Sequence, residues 1–182
     1  MFSTIKADLR RKAEWYDLPP DKVGSLIKAF FSDGSTAQLL YRLMRFCQSY
    51  AFLKPIAMIV YRLNVFFGHV VIGRGANIGE EFVIIHSFGI VINSAVKAGT
   101  GLVIEHGVTI GAEKGLSPVL GNNVFIGAGA KIIGAVTIGN DVKIGANAVV
   151  TKSLPDGATA VGVPAKVIKI YGEKVSADST VI

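Results

Sequence analysis

Three histidines are the side chains of this 182-residue sequence best suited to move a proton near neutral pH. His86 and His106 each follow an isoleucine by two positions, after Ile84 and Ile104, and so share one place in a repeated pattern. His69 lies outside that pattern. Neutral imidazole can take the proton of a hydroxyl group while that hydroxyl attacks a carbonyl carbon. The two equivalent histidines are therefore the candidates for a general base.

Other kinds of reactive site find little support in the sequence. The only cysteine is Cys47, which rules out an intrachain disulfide and a zinc site built from several thiolates, and we expect no metal. The glycines of IGRGANIG stand at 73, 75 and 79, a spacing that matches neither a dinucleotide-binding fingerprint nor a Walker loop. No nucleic-acid partner is expected.

The two histidines belong to a six-residue repeat that begins at Val71. A stride of six fits neither one amphipathic helix nor one antiparallel ladder, and it predicts a mainly β solenoid in which three strides, 18 residues, close a triangular turn. The phase slips by two residues between Ile84 and Ile92 and again over 113–119, where we expect a bulge and a loop. The recurring aliphatic residues, expected to point inward, are Ile72, Ile78, Ile84, Ile92, Ile104, Ile110, Leu120, Ile126, Ile132, Ile138, Ile144 and Val150, with Ala98 as the weak member.

The separation of His86 and His106 equals one turn of 18 residues plus the two-residue slip. Strands of neighbouring turns lie about 4.8 Å apart, so the two imidazoles should stack and face one cleft. Residues 1–68 lack the repeat and are predicted to be helical, with breaks at 18–20 and 32–35. We assign the solenoid to 69–170 and a tail to 171–182.

The segment 37–68 is basic and amphipathic. Its charges are Arg42, Arg45, Lys54 and Arg62, and it contains no acidic residue. Two interpretations stay open: the segment rests on anionic lipid at a membrane surface, or it packs as a helical cap or a trimer contact. The N-terminus lacks the apolar run of a secretory signal, and no apolar run is long enough to span a bilayer, so a cytoplasmic protein is expected, with contact to the inner face of the membrane under the first interpretation.

The repeat resembles that of the hexapeptide acyltransferases, whose fold is a left-handed parallel β-helix. Within that family the sequence is most similar to serine O-acetyltransferases and to the related O-acetyltransferases of polysaccharide biosynthesis. The resemblance covers about 71–170, and its specific segments are IIHSFGIVI (84–92), GVTIG (107–111), VFIGAGAKIIG (124–134) and AVGVPAKVI (160–168). It implies an enzyme that transfers acetyl from acetyl-CoA, and, because triangular prisms of this kind leave clefts to be shared between neighbours, a homotrimer.

The resemblance also assigns roles to residues. His86 lies in the segment similar to the catalytic-histidine stretch, whereas the family typically has Gln at the position of His106, which is left to hold the acceptor or to adjust the charge on His86. Coenzyme A needs small residues whose backbone its pantetheine can reach. Two columns of residues at intervals of 18 are predicted to supply them: Gly111, Gly129 and Asn147, and Ile110, Ala128, Ala146 and Pro164. Ala128 and Ala146 match CoA-contacting positions, Gly111 is a candidate oxyanion donor, and Lys152 and Lys166 are candidates for the CoA phosphates.

Two departures bear on the acceptor. The aspartate that orients the catalytic histidine in serine acetyltransferases aligns with Val71, and the second histidine that contacts serine aligns near Ser117. We therefore expect the hydroxyl of a sugar in polysaccharide or glycolipid biosynthesis as the acceptor, with serine as the alternative. Glu81, Glu105 or a backbone carbonyl is left to orient His86. A γ-type carbonic anhydrase would need two histidines five residues apart and a third, which this sequence lacks, and a non-enzymatic scaffold is the remaining alternative.

Overall fold

The structure is a computed structural model, and it describes residues 1–175. The chain begins with four α-helices, as the absence of the repeat predicts. Both predicted helix breaks are present. The break at 18–20 lies between the first and second helices, and the break at 32–35 lies between the second and third. The helices are α1 (Phe2–Trp15), α2 (Val23–Phe31), α3 (Ser35–Gln48) and α4 (Lys54–Phe67), with a 3₁₀ helix at Ala51–Leu53 before α4.

The rest of the described chain is a left-handed β-helix of about five turns, and this confirms the predicted fold. Its coil is built from three sheets of parallel strands, labelled A, B and C. Sheet A consists of β1 (Val70–Ile72), β4 (Ile90–Ile92), β7 (Thr109–Gly111), β10 (Lys131–Ile133) and β13 (Val149–Val150). Sheet B consists of β2 (Asn77–Ile78), β5 (Lys97–Ala98), β8 (Val119–Leu120) and β11 (Thr137–Ile138). Sheet C consists of β3 (Val83–Ile84), β6 (Val103–Ile104), β9 (Phe125–Ile126), β12 (Lys143–Ile144), β14 (Ala158–Val161), β15 (Lys166–Ile170) and β16 (Glu173–Lys174).

The aliphatic members of the repeat fill the interior of the prism. All twelve strong members are buried, while Ala98 is only partly covered. Each buried isoleucine removes apolar surface from water, which contributes about 1.5–3 kcal/mol per side chain. The column in sheet C, where Ile84, Ile104, Ile126 and Ile144 pair in register, leads directly to the corner that carries the histidines.

The helical front closes the open edge of the first turn. Strand edges expose backbone groups that need partners, and here side chains of α1 and α3 provide them. Gln38 accepts from the Ile84 N–H at 3.2 Å and Asp8 from the Phe82 N–H at 3.0 Å. Arg42 forms a buried ion pair with Asp8 at 2.7 Å and donates to the Ile78 carbonyl at 2.8 Å. These contacts hold the helices over the strand that precedes His86.

The far end of the prism is closed by reversed strands. β15 runs antiparallel to β14, and β16 runs antiparallel to β15. β16 lies in the segment that the sequence assigned to the tail, so residues 173–174 extend sheet C. The remainder of that predicted tail, residues 176–182, lies outside the described residues.

Candidate active site

His86 and His106 meet at the corner between sheets C and A. Each follows a strand of sheet C, and the register that pairs Ile84 with Ile104 brings the two imidazoles side by side. Their ring centroids are 6.1 Å apart at an angle of 63°. About half of each side chain is exposed, so both rings are open to a substrate.

Asp33 holds His86 in place. It lies in the turn between α2 and α3, and its Oδ2 is 3.1 Å from His86 Nδ1. Because an ionised carboxylate only accepts hydrogen bonds, the proton of the neutral ring resides on Nδ1 and Nε2 keeps its lone pair. The expectation that Glu81, Glu105 or a backbone carbonyl orients His86 is wrong. The Ser32–Ser35 break marked a turn in the sequence, but nothing in the repeat indicated that this turn reaches the solenoid.

The second histidine has its own carboxylate. Glu105 Oε2 is 3.7 Å from His106 Nδ1, a separation for an ion pair rather than a hydrogen bond. Tyr16, just after α1, borders the same region. Burial raises the pKa of the Tyr16 phenol; a hydrogen bond from Ser32 opposes the rise, and the charges of Asp33 and Glu105 add to it. Two carboxylates and two imidazoles therefore share one open corner.

Lys131 is a cation that the sequence analysis did not assign to the site. Its Nζ donates to the carbonyl oxygen of Gly107, the residue after His106, at 2.5 Å. Lys131 faces outward from sheet A, which its place one residue before the inward Ile132 already indicated. The corner thus contains a lysine ammonium group that bonds the backbone of Gly107, the residue next to His106.

The loop that carries His86 is longer than its counterparts. Between Ile84 and Ile92 the chain uses two residues more than between Ile104 and Ile110, and the extra residues form the expected bulge. Phe88, in this loop, stacks on His69 with ring centroids 4.5 Å apart. His69 therefore supports the loop and does not join the two other imidazoles.

Ala128 and Ala146 continue the corner below the histidines. Ile104 pairs with Ile126 and Ile126 with Ile144, so the two alanines follow their strands at the same place as His106, one and two turns further along. Both face outward, Ala146 being exposed. A line of small side chains thus runs along this corner from the imidazoles.

The predicted columns through residues 110 and 111 are wrong. Gly111 pairs with Ile133 in sheet A, and Gly129 instead stacks below Gly107 at the corner. The loop around the Glu113–Leu116 bridge adds residues, so equivalent positions there are 22 apart rather than 18. Gly111 consequently lies away from the His86–Ala146 column.

The remaining predicted CoA residues lie at the lower end of the prism. Pro164 and Lys166 follow β14 and turn back along it, and the Ala165 N–H bonds to the Val149 carbonyl at 2.8 Å. Lys152 follows β13 at a different corner. All three are exposed. Among residues 1–175 there is no group of three histidine, cysteine or acidic side chains arranged to hold a metal, and none of the helices there has both the length and the hydrophobicity to cross a bilayer.

Comparison with known proteins gives consistent matches. Residues 117–152 match the family model described as bacterial transferase hexapeptide (six repeats). The chain is 45% identical over 139 residues to a serine acetyltransferase of Helicobacter pylori, an alignment that covers 74% of this chain and 81% of that protein.

Two solved structures extend the similarity to three dimensions. One is a serine acetyltransferase of Neisseria gonorrhoeae in complex with serine, with a TM-score of 0.79 and 30% identity, covering 91% of this chain and 68% of that one. The other is a serine acetyltransferase in complex with CoA, with a TM-score of 0.76 and 30% identity, covering 90% of this chain and 68% of that one. The similarity therefore includes the helical front as well as the solenoid.

Proposed function

We propose that this chain, which belongs to the serine acetyltransferase family and is an acetyl-CoA-dependent O-acetyltransferase, uses the side-chain hydroxyl of serine as its acceptor. The observation that carries the proposal is the Asp33–His86 pair at an open corner of a chain 45% identical to a serine acetyltransferase. The expected activity, acetyl transfer from acetyl-CoA to a hydroxyl, is confirmed. For the acceptor, the comparisons favour serine over a sugar.

His86 is the proposed general base. Asp33 accepts its Nδ1–H, which orients the ring and stabilises the imidazolium that forms during the reaction. Nε2 is then the ring nitrogen left to accept the proton of the acceptor hydroxyl, on a side chain that is about half exposed. Removal of that proton raises the nucleophilicity of the oxygen at the moment of attack.

The transfer is proposed to be direct. The hydroxyl oxygen attacks the thioester carbonyl carbon while its proton passes to His86 Nε2, and a tetrahedral intermediate forms. The C–S bond then breaks, and the CoA thiolate takes the proton from the imidazolium, which restores His86. An acyl-cysteine intermediate is not used, since Cys47, the only cysteine, is buried in α3 away from the corner.

The charges at the corner suit an amino acid. Asp33 and Glu105 supply negative charge for an α-ammonium group, and Asp33 is largely exposed. Lys131, beside Gly107, supplies positive charge for an α-carboxylate. His106 lies between these groups and is proposed to contact the acceptor.

Acetyl-CoA is proposed to bind along the corner below the imidazoles. Its thioester would lie at His86 and His106, and its pantetheine would follow the small residues Ala128 and Ala146. Pro164 and Lys166 would then meet the nucleotide end, where the lysine charge suits phosphate. Lys152 and Gly111 lie away from this corner. They could contact CoA, as phosphate ligand and oxyanion donor, only where a neighbouring subunit places its own Lys152 or Gly111 beside the ligand.

A sugar hydroxyl is the second candidate acceptor, and two positions favour it. Val71, in β1, has an apolar side chain where serine acetyltransferases have an orienting aspartate. The hydroxyl of Ser117 donates to Asn93 Oδ1 at 3.0 Å, so this residue is already engaged and has no imidazole. Asp33 takes over the orienting role, which leaves the missing histidine as the main argument for a different acceptor.

An acceptor panel separates the two candidates. Thiol release from acetyl-CoA is followed with L-serine, free sugars and nucleotide sugars, and products are identified by mass spectrometry. The proposal predicts O-acetylserine as the main product. Acetylated sugar without O-acetylserine would overturn the serine assignment and leave the O-acetyltransferase class unchanged.

A further inference from the structure

Lys12 is a charged side chain with no exposed surface. It projects from α1 into the junction between the helical front and the first turn of the solenoid. Its Nζ donates to Ser35 Oγ at 2.8 Å and to the Ile84 carbonyl oxygen at 2.9 Å, and it also bonds the carbonyl oxygen of Asp33. The three N–H groups of the ammonium ion thus meet three acceptors.

These acceptors belong to the two segments that form the proposed base. Asp33 provides the carboxylate that bonds His86, and Ile84 is two residues before His86 in the chain. The segments are far apart in sequence, and Lys12 bonds both. The Lys12 ammonium group therefore links the backbone of Asp33 to the backbone of Ile84, two residues before His86.

Anchoring of the backbone matters here because the side chains themselves are loosely surrounded. Asp33 is 72% exposed and His86 is 51% exposed, so few neighbours restrict their positions. Gly34 brings the turn very close to β3: a Cβ at this residue would lie 2.2 Å from the Ile84 oxygen. The same oxygen accepts a hydrogen bond from the Lys12 ammonium group, and this charged hydrogen bond stabilises the contact between the Gly34 turn and β3.

We infer that Lys12 is a positioning residue for the transfer reaction: by fixing the Asp33 turn against the end of β3, it keeps the Asp33 carboxylate within hydrogen-bonding distance of His86 Nδ1. The inference rests on the proposed roles of Asp33 and His86. Misplacement of a catalytic group by about 1 Å can lower a rate by about a hundredfold, so a small shift of this turn would be visible in kcat.

The protonation state of Lys12 makes the anchor sensitive to pH. Burial lowers the pKa of Lys12 to about 8, and the charge of Asp33 partly opposes this. Asp33 is the charged group that faces Lys12 from the turn, while Ser35 of α3 and the Ile84 carbonyl of β3 are neutral. The neutral amine has two N–H groups for three acceptors. One contact is lost above about pH 8, and kcat should fall there.

A double-mutant cycle tests the inference. Wild type, Lys12→Met, Asp33→Asn and the double variant are compared for kcat and for the KM of acetyl-CoA. Lys6→Met, an exposed lysine on the same helix, is the matched control and should match wild type. We expect Lys12→Met to lower kcat about tenfold with an unchanged KM, and to change kcat less than twofold when Asp33 is already Asn.

Equal effects of Lys12→Met in both backgrounds would overturn the inference, because a merely structural lysine would act independently of Asp33. If Lys12→Met does not fold, the pH profile of kcat decides: wild type should decline above about pH 8, and Asp33→Asn should not. A wild-type profile that is flat to pH 9.5, or a decline shared by Asp33→Asn, would contradict it. His86→Ala is assayed alongside, since normal turnover of that variant would refute the proposed base and not Lys12 alone.

Discussion

His86 receives its orientation from a side chain that is 53 residues away in sequence and belongs to a different part of the fold. Sequence periodicity locates His86 and His106 because both follow an inward isoleucine of the repeat. It cannot locate Asp33, since the helical front has no repeat and its docking on the solenoid is decided by long-range contacts. Although Val71 stands where an aspartate is expected, His86 still has a carboxylate partner, Asp33.

Replacement of Asp33 by Asn tests this pairing. The amide can still contact Nδ1 but carries no charge to stabilise the imidazolium, and it can favour the wrong tautomer. We expect kcat to fall by about 10- to 100-fold, with an unchanged melting temperature because the side chain is exposed. Asp21→Asn, a change of the same kind at an exposed surface ion pair, should leave kcat unchanged. Equal kinetics for the two variants would refute the role of Asp33.

Replacement of Ala146 by Trp tests the proposed CoA site. Because Ala146 faces outward, the ring does not crowd the interior, and we expect CoA binding measured by calorimetry to be lost without a change in melting temperature. Ala95→Trp places the same ring on an exposed alanine of another corner and should leave CoA affinity intact. Normal affinity of the Ala146 variant would move the CoA site elsewhere on the prism.

At the scale of the elements, the solenoid follows from its repeat, whereas its corners depend on loop lengths. The inward positions, the two interruptions and the helical breaks were all predictable, since each depends on local residue types. The column through Gly111 was not, because the added residues around Glu113 shift every later position of that sheet relative to an 18-residue count. The register between neighbouring turns is set by backbone pairing. Inserted residues therefore change which residues pair from one turn to the next.

The junction between helical front and solenoid gives a test at this scale. Gly34 has φ of 76°, and a Cβ there would meet the Ile84 oxygen at 2.2 Å. We expect Gly34→Ala to lower the free energy of unfolding by about 2 kcal/mol or more, because a left-handed backbone alone costs about 1–2 kcal/mol and the clash adds to it. It should also lower kcat by displacing Asp33.

The control for this prediction is another glycine of the helical front. Gly24 lies in α2, and a Cβ added there would have no atom within 4 Å, so Gly24→Ala should stabilise the protein by about 0.5–1 kcal/mol. Denaturation by urea measures both changes. Similar free energies for the two alanine variants would contradict the close approach of the Gly34 turn to β3.

For the whole molecule, the outer face of α4 is an apolar surface that the single chain leaves uncovered. This helix buries mainly small residues, Ala57 and Val60 among them, and exposes large apolar side chains. Phe66 is 72% exposed, Phe67 is 60% exposed and Ile59 is 59% exposed. Exposed apolar patches of this kind mark contact surfaces. We propose that copies of the chain cover this face, and contact with anionic lipid stays the alternative prediction for 37–68.

The oligomeric state tests this proposal. Light scattering should give a mass of three times 19.2 kDa, as expected for a homotrimer. Ile59→Glu, on the exposed face of α4, should weaken the assembly and shift the mass toward the monomer. A stable 19.2 kDa monomer with full turnover would contradict the trimer, and binding of that monomer to anionic vesicles would assign the face to membranes instead.

The proposed role of His86 as the base in acetyl transfer to serine is tested by the turnover of the His86→Ala variant. The rate of O-acetylserine formation from acetyl-CoA and L-serine is measured for wild type and variant, with CoA affinity recorded on the same samples. We expect a rate lower by about 10²- to 10⁴-fold with CoA binding retained. A variant that forms O-acetylserine at a near-normal rate would contradict it.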